Sequence, residues 1–160
     1  MKINITKPVF HICRIFVLIA FLLLASCSKN NVTETYTSTD RQILQLVNQY
    51  RKSMGKAELE MNQTIWNEAM QHSSNMAAGT VAFSHDGFTD RINRIKAAIG
   101  GSSAAENVAY GYPTAQSVVD GWLSSPGHRN NMEGDYSLTG ISAVQNSAGT
   151  WYYTQIFLKK

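Results

Sequence analysis

The sequence predicts an α+β fold in which helices cover an antiparallel sheet. Two observations carry this. Four segments in the body of the chain have apolar residues at helical spacing and are bounded by capping residues or glycines. The carboxy-terminal end then changes to β-branched and aromatic runs on either side of turn residues.

The first helix is expected to start near Thr39 or Asp40, both good N-caps, and to carry Ile43, Leu44, Val47 and Tyr50 towards a stop at Gly55. The second should start after Asn62. Its broad inward face holds Ile65, Trp66, Ala69, Met70, Ser73 and Met76, with Gly79 beyond its end. Thr89 can cap a third, with Ile92, Ile95, Lys96 and Ile99 before Gly100-Gly101. Thr114 or a neighbour opens the fourth, which carries Val118, Val119, Trp122 and Leu123. It should stop at Ser125, because the residue before a proline is pushed out of the helical region. LTGISAVQ and TWYYTQIFL, joined through NSAG, read as a hairpin. Shorter strands are expected around Val81–Ser84 and Asn107–Tyr110.

The amino terminus is a separate matter. Lys2, Lys7 and Arg14 precede the apolar run from Ile15 to Ala25, which is short for a membrane span and has the layout of a secretory signal. Its exit, LASC, resembles the bacterial lipobox, in which Cys27 is acylated, for example with palmitate, and becomes the first residue. The alternative is an ordinary signal peptide cleaved near Ser26. The expected organisation is therefore a lipoprotein signal peptide over 1–26, a polar tether over 27–38 and one domain over 39–160. Ser28 after the cysteine, by resemblance to lipoprotein sorting, favours an outer membrane where the cell has one.

Removing the leader changes the charge balance. The chain has 14 Lys+Arg and 11 Asp+Glu, and three of the basic residues but none of the acidic ones precede Cys27. The mature chain therefore carries 14 − 3 = 11 of each, and nothing in that balance argues for a nucleic-acid partner. Cys13 leaves with the leader and an acylated Cys27 has no thiol, so neither a disulfide nor a cysteine nucleophile is expected in the domain.

Three residues outside the apolar stripes can carry chemistry: His85 in AFSHDGF, Glu106 in AENVAYG and His128 in SPGHRNNM. A carboxylate between two imidazoles can orient a histidine, fix its tautomer or share a metal with it. Their wide spacing forms no local motif, and each histidine can equally be a structural group. His72, inside the second helix, reads as structural or exposed. HExxH, CxxC, GxSxG and phosphate-loop signatures are absent from the sequence.

Taken in order, LVNQYRKSMG, the helix ending MAAG, FSHDGF, AENVAYG, VVDGWLSSPGHRNNM and YYTQIF resemble the CAP domain, also called the SCP or Tpx/antigen-5/pathogenesis-related family, and most closely its bacterial branch. The resemblance covers about Asp40 to Leu158. It implies an α-β-α sandwich with a central antiparallel sheet and a cleft lined by histidines and glutamates. His85 matches the first cleft histidine, Glu106 the glutamate of the A/G-E-N motif and His128 the histidine of the bacterial S-P-G-H-R segment. The sequence departs from animal and plant relatives twice. Ser124 and Ser125 stand where a second glutamate is usual, and Tyr152 stands where a histidine precedes Y-T-Q. Both departures weaken a transfer of the zinc binding reported for some members. The disulfides of secreted animal relatives are also missing.

On this reading Pro126 and Gly127 end the tryptophan helix and turn the chain so that His128 enters a cleft opposite His85. Arg129, Asn130 and Asn131 then satisfy loop carbonyls and carboxylates such as Glu133 or Asp135. Three functions follow. The first is an envelope-anchored module whose His85, Glu106 and His128 bind a small ligand, a lipid, a peptide or a divalent metal such as zinc. The second is a hydrolase in which Glu106 or a histidine activates water. The third is a scaffold protein whose polar cluster only knits loops together.

Overall fold

In the computed structural model, residues 36–160 are described, together with Met1 and Lys2. The rest of the leader, Cys27 and the tether as far as residue 35 lie outside the described residues. Glu34–Lys160 forms one compact unit.

Among the described residues five helices and four strands follow in order: α1 Ser38–Ser53, β1 Glu60–Met61, α2 Gln63–Ala77, α3 Phe88–Ile99, β2 Ala104–Tyr110, α4 Ala115–Ser124, α5 Pro126–Glu133, β3 Leu138–Gln145 and β4 Trp151–Leu158. Caps explain most of the boundaries. Thr37 and Asp40 form a capping box at α1, so the cap lies just before the expected Thr39 or Asp40, and Asp40 is the acid three residues into the helix. Asn62 and Thr114 cap α2 and α4 with their side chains, as expected. Helix α3 starts at Phe88 behind Gly87, whose φ of 75° lets the chain turn sharply before the expected Thr89.

Two expectations need correction. Residues 81–84 form no strand; they make turns and bends in the loop that leads to His85. Pro126 and Gly127 do more than end the tryptophan helix. Pro126 occupies the first turn of a new helix, α5, where its missing N–H costs nothing, so SPGHRNNM is itself helical.

The sheet order is β1-β3-β4-β2. Strands β3, β4 and β2 are antiparallel, and the short β1, which the sequence reading missed, adds a parallel pairing of Glu60 with Leu138. Side chains alternate across this sheet. On one face, Tyr153, Phe157, Ile141, Ala105 and Ala109 meet Ile43 and Val47 of α1, Val118, Val119 and Trp122 of α4, and Met132 of α5. On the other, Ile156 and Leu158 meet Ile65 and Ala69 of α2 and Ile92 and Ile95 of α3. The result is the expected α-β-α sandwich, with β2 at one edge of the sheet.

Two polar anchors lock the layers. The buried Asp40 carboxylate accepts from Trp66 Nε1 at 3.0 Å and from Ala143 N at 2.9 Å, tying α1 to α2 and β3. The buried Arg51 guanidinium donates to the carbonyls of Ala57, Met132, Gly134 and Tyr136, fixing the chain after α5.

Candidate functional site

The site is built on β2. Lys159 N donates to Ser103 O and Gly111 N donates to Trp151 O, so the odd-numbered residues of β2 bond to β4. In an antiparallel pair the alternate residues turn their backbone groups the other way. Glu106, Val108 and Tyr110 therefore direct N–H and C=O to the free edge.

The Glu106 side chain projects towards α3 and is 1% exposed. Arg91, from the second turn of α3, grips both of its oxygens: Nε lies 3.0 Å from Oε2 and Nη2 lies 2.8 Å from Oε1. Arg91 Nη1 also donates to Asp86 O at 2.8 Å, which ties the loop carrying His85 to the same helix. His85 Nδ1 lies 3.0 Å from Glu106 Oε1. A carboxylate only accepts, so Nδ1 carries a proton, and whenever the ring is neutral its Nε2 lone pair is the one turned to solvent or ligand. The His85 side chain is 52% exposed. The buried carboxylate thus orients an accessible imidazole.

Arg91 was not anticipated from the sequence. It lies four residues before Ile95 and is thus a basic residue on the inward stripe of an amphipathic helix. Such a residue needs a buried acid, and that pattern was the available signal.

His128 arrives from the other layer. The first turn of α5 carries it, and its carbonyl accepts from Asn107 Nδ2 at 3.1 Å. Asn131 Nδ2, one turn later, donates to Asn107 Oδ1 at 2.8 Å and lies 3.2 Å from Glu106 O at the sheet edge. These two asparagines stitch α5 to β2, which gives Asn131 the carbonyl-satisfying task expected of it. Arg129 Nη1 donates to the Leu123 carbonyl at 3.4 Å and its Nε lies 3.9 Å from Glu133, whereas Asp135 pairs with Lys159. Burial, and then the nearby charge of His85, lower the pKa of the His128 ring, so it is neutral at pH 7. His72 is buried and structural. Its Nε2 donates to Ser84 O at 3.0 Å, pinning the loop before His85. Burial, and next the Arg91 charge, lower its pKa too.

A hollow of about 260 Å³ opens beside this cluster, lined among others by Phe83, Val108, Tyr110, Trp122, Ser125 and His128. Phe83 and Tyr110 are exposed and their ring centroids are 4.7 Å apart. Tyr152, at the position of the histidine in animal and plant relatives, stacks on Tyr110 at 5.9 Å. Of the three expected site residues, His128 lines the hollow; His85 and Glu106 are not in its lining.

The expected arrangement of one carboxylate between two imidazoles is therefore modified. Glu106 bonds one imidazole and one guanidinium. Its four lone-pair directions are largely committed, and a cation beside it would meet Arg91 at close range, so Glu106 does not fit as a metal ligand. Among the described residues no group of three His, Cys, Asp or Glu is placed to hold a metal ion. The Ser84 hydroxyl, next to His85 in the chain, accepts from Asp86 N and lies against Ala82 O.

An α-β-α sandwich with a histidine-bearing cleft at its edge strand defines the class. The profile of the cysteine-rich secretory protein family, CAP, matches residues 44–157, and the chain belongs to that family. It is 34% identical over 130 residues to the uncharacterized membrane protein YlbC of Bacillus subtilis, covering 78% of this chain and 35% of that one. A second B. subtilis relative, the uncharacterized protein YkwD, is 28% identical over 144 residues, covering 85% of this chain and 54% of that one. The chain thus spans between a third and about half of these relatives' length. The crystal structure of an extracellular SCP-domain protein from Bacillus anthracis superposes with a TM-score of 0.66 at 30% identity, over 76% of this chain and 40% of that one. An outer surface protein of Borrelia burgdorferi shares the fold, with a TM-score of 0.67 at 21% identity over 78% of this chain and 96% of that one.

Proposed function

We propose that this CAP protein is an envelope-anchored binding module, held at the membrane by acylated Cys27, whose cleft beside β2 takes a small ligand or peptide. His85 and His128 supply the polar contacts, and Glu106 holds His85 in its tautomer from behind. The reading is carried by one observation: an aromatic-walled hollow of about 260 Å³ with His128 in its wall and exposed Phe83 and Tyr110 at its side. Apolar walls with a few fixed polar groups are the usual make-up of a ligand pocket. Anchoring rests on the LASC exit and accords with relatives described as extracellular, outer-surface or membrane proteins. An outer-membrane position follows from Ser28 where such a membrane exists.

Hydrolysis is the weaker alternative. The Glu106 carboxylate is 1% exposed and already accepts from Arg91 and His85, so it is poorly placed to take a proton from water. The test is a fragment screen by NMR on the full chain in detergent micelles, with His85→Ala and His128→Ala as variants. Fragments should shift the His128 and Tyr110 ring signals, and both variants should bind at least tenfold more weakly with little change in Tm. Fragments that leave those rings unmoved, or bind both variants as tightly as the wild type, would overturn the proposal. Zinc titrated into the same samples should show no tight uptake that depends on Glu106.

A further inference from the structure

The free edge of β2 carries an unmet hydrogen-bonding demand beside the hollow. Val108 turns its N–H and C=O away from β4, by the parity that Lys159–Ser103 and Gly111–Trp151 establish. Val108 is only 4% exposed, yet among the described residues no other backbone or side-chain group meets these outward groups. Glu106, one step earlier on the same edge, has its carbonyl satisfied by Asn131. Buried main-chain groups without a partner are rare, and where they lie on a sheet edge they suit another strand.

A second, independent observation lies in the same hollow. Trp122 is 1% exposed and lines it, and its Nε1–H is buried without an acceptor. An unpaired indole N–H of this kind is met by a water or by an oxygen that an occupant of the hollow brings. The volume narrows the choice. About 260 Å³ lies at the small end of ligand pockets, which suits a side chain of something longer better than a large compact ligand.

We infer that the occupant is an extended peptide that adds to the β2 edge at Val108, exchanging one pair of main-chain hydrogen bonds with it and placing one apolar side chain in the hollow between Phe83 and Trp122. A peptide carbonyl or side-chain oxygen accepts from Trp122 Nε1. Main-chain pairing gives such strand addition its affinity and the side-chain pocket its selectivity. Helix α5 covers the edge at Glu106, so the open stretch is short and recognition is confined to a few residues around Val108. This rests on the cleft being a binding site and adds what kind of ligand it takes.

The test selects binders from a phage-displayed library of random linear peptides on the full chain in detergent micelles, then uses one synthetic binder. N-methylation of its backbone at the residue that pairs with Val108 should weaken binding at least tenfold, and N-methylation of the neighbouring residue should not. On binding, the Val108 amide and Trp122 indole N–H signals should both move downfield and become protected from exchange. Val108→Pro, which removes the outward N–H at an edge position, should abolish binding while far-UV circular dichroism stays unchanged. If that variant does not fold, the N-methyl scan and the wild-type signals decide by themselves. Small fragments that shift His128 while no peptide is selected would overturn the inference and leave the binding site standing. Peptides that bind with no N-methyl alternation, or without moving Val108, would also overturn it. Neither fragments nor peptides binding at this cleft would remove both readings.

Discussion

Arg91 and Glu106 are nearly sealed from water, at 7% and 1% side-chain exposure, and they hold the site together. Replacing Arg91 by Met keeps most of the stem volume but leaves a buried carboxylate with His85 as its one remaining side-chain partner. Breaking a buried pair from one side costs about 3–5 kcal/mol, because the surviving charge stays desolvated. Glu106→Leu strands the guanidinium in the same way and should cost a similar amount. With a urea m-value of about 2 kcal/mol per M, a 4 kcal/mol loss moves the unfolding midpoint by about 2 M. The double variant Arg91→Met/Glu106→Leu removes both charges together and should recover most of the loss, ending within about 1–2 kcal/mol of the wild type. Urea unfolding of the four proteins, followed by tryptophan fluorescence at constant m, gives the cycle. Single-variant shifts below about 0.5 M, or a double variant that loses the sum of the singles, would show that the pair is not a coupled, desolvated unit and would remove the rigid support on which His85 depends.

Three further outcomes are expected. Gly140→Ala would place a Cβ 2.3 Å from the backbone of Ile65 and Trp66, so β3 and α2 must separate, and thermal unfolding should report a loss at or above the usual overpacking range of about 1–3 kcal/mol. Asp40→Ala orphans the N–H groups of Trp66 and Ala143, each at about 1–3 kcal/mol, and should lower stability by at least about 2 kcal/mol in the same assay. Stability should also fall with acid. Burial lowers the pKa values of His72 and His128 in the folded state, so as pH drops below the ordinary histidine value of about 6.5 the unfolded chain takes up protons first. Urea midpoints measured from pH 7.5 to 5 should decline over that window, and His72→Gln with His128→Gln should flatten part of the slope; an unchanged slope would contradict the burial argument.

The fold was largely legible because its signals are local. Helical spacing, Asn62, Thr114 and the Gly100-Gly101 break each act within a few residues, and the NSAG hairpin declares itself by turn chemistry and β-branched runs. The misses have physical causes. Strand β1 is two residues long and has no periodicity to detect. Residues 81–84 hold apolar side chains that line a loop and a hollow rather than a ladder. Helix α5 is mostly polar, with Met132 its one buried residue, so no amphipathic stripe announces it. At the site, sequence named His85, Glu106 and His128 but not Arg91, whose partner lies on a different element. Nor did it foresee that a guanidinium would grip the Glu106 carboxylate from α3.

The two asparagines at the edge of β2 explain why a site can exist there. An edge strand beside a helix must either be covered or stay open, and a fully open edge invites pairing with other chains. Asn107 and Asn131 cover part of it, bonding to each other and taking the His128 and Glu106 carbonyls. This fixes α5 against the strand and brings His128 near His85. One step further along, the helix no longer reaches, and Val108 is left facing the hollow with Trp122 in its wall. Asn131→Leu should therefore do two things: free the Glu106 carbonyl and loosen α5, so that His128 loses its fixed place. Ligand affinity should fall by more than tenfold, whereas the Arg91–Glu106–His85 cluster, anchored from α3, should keep its geometry. Equal loss of both in NMR spectra of that variant would mean the site is held by one cooperative layer, not by two independent ones meeting at the strand edge.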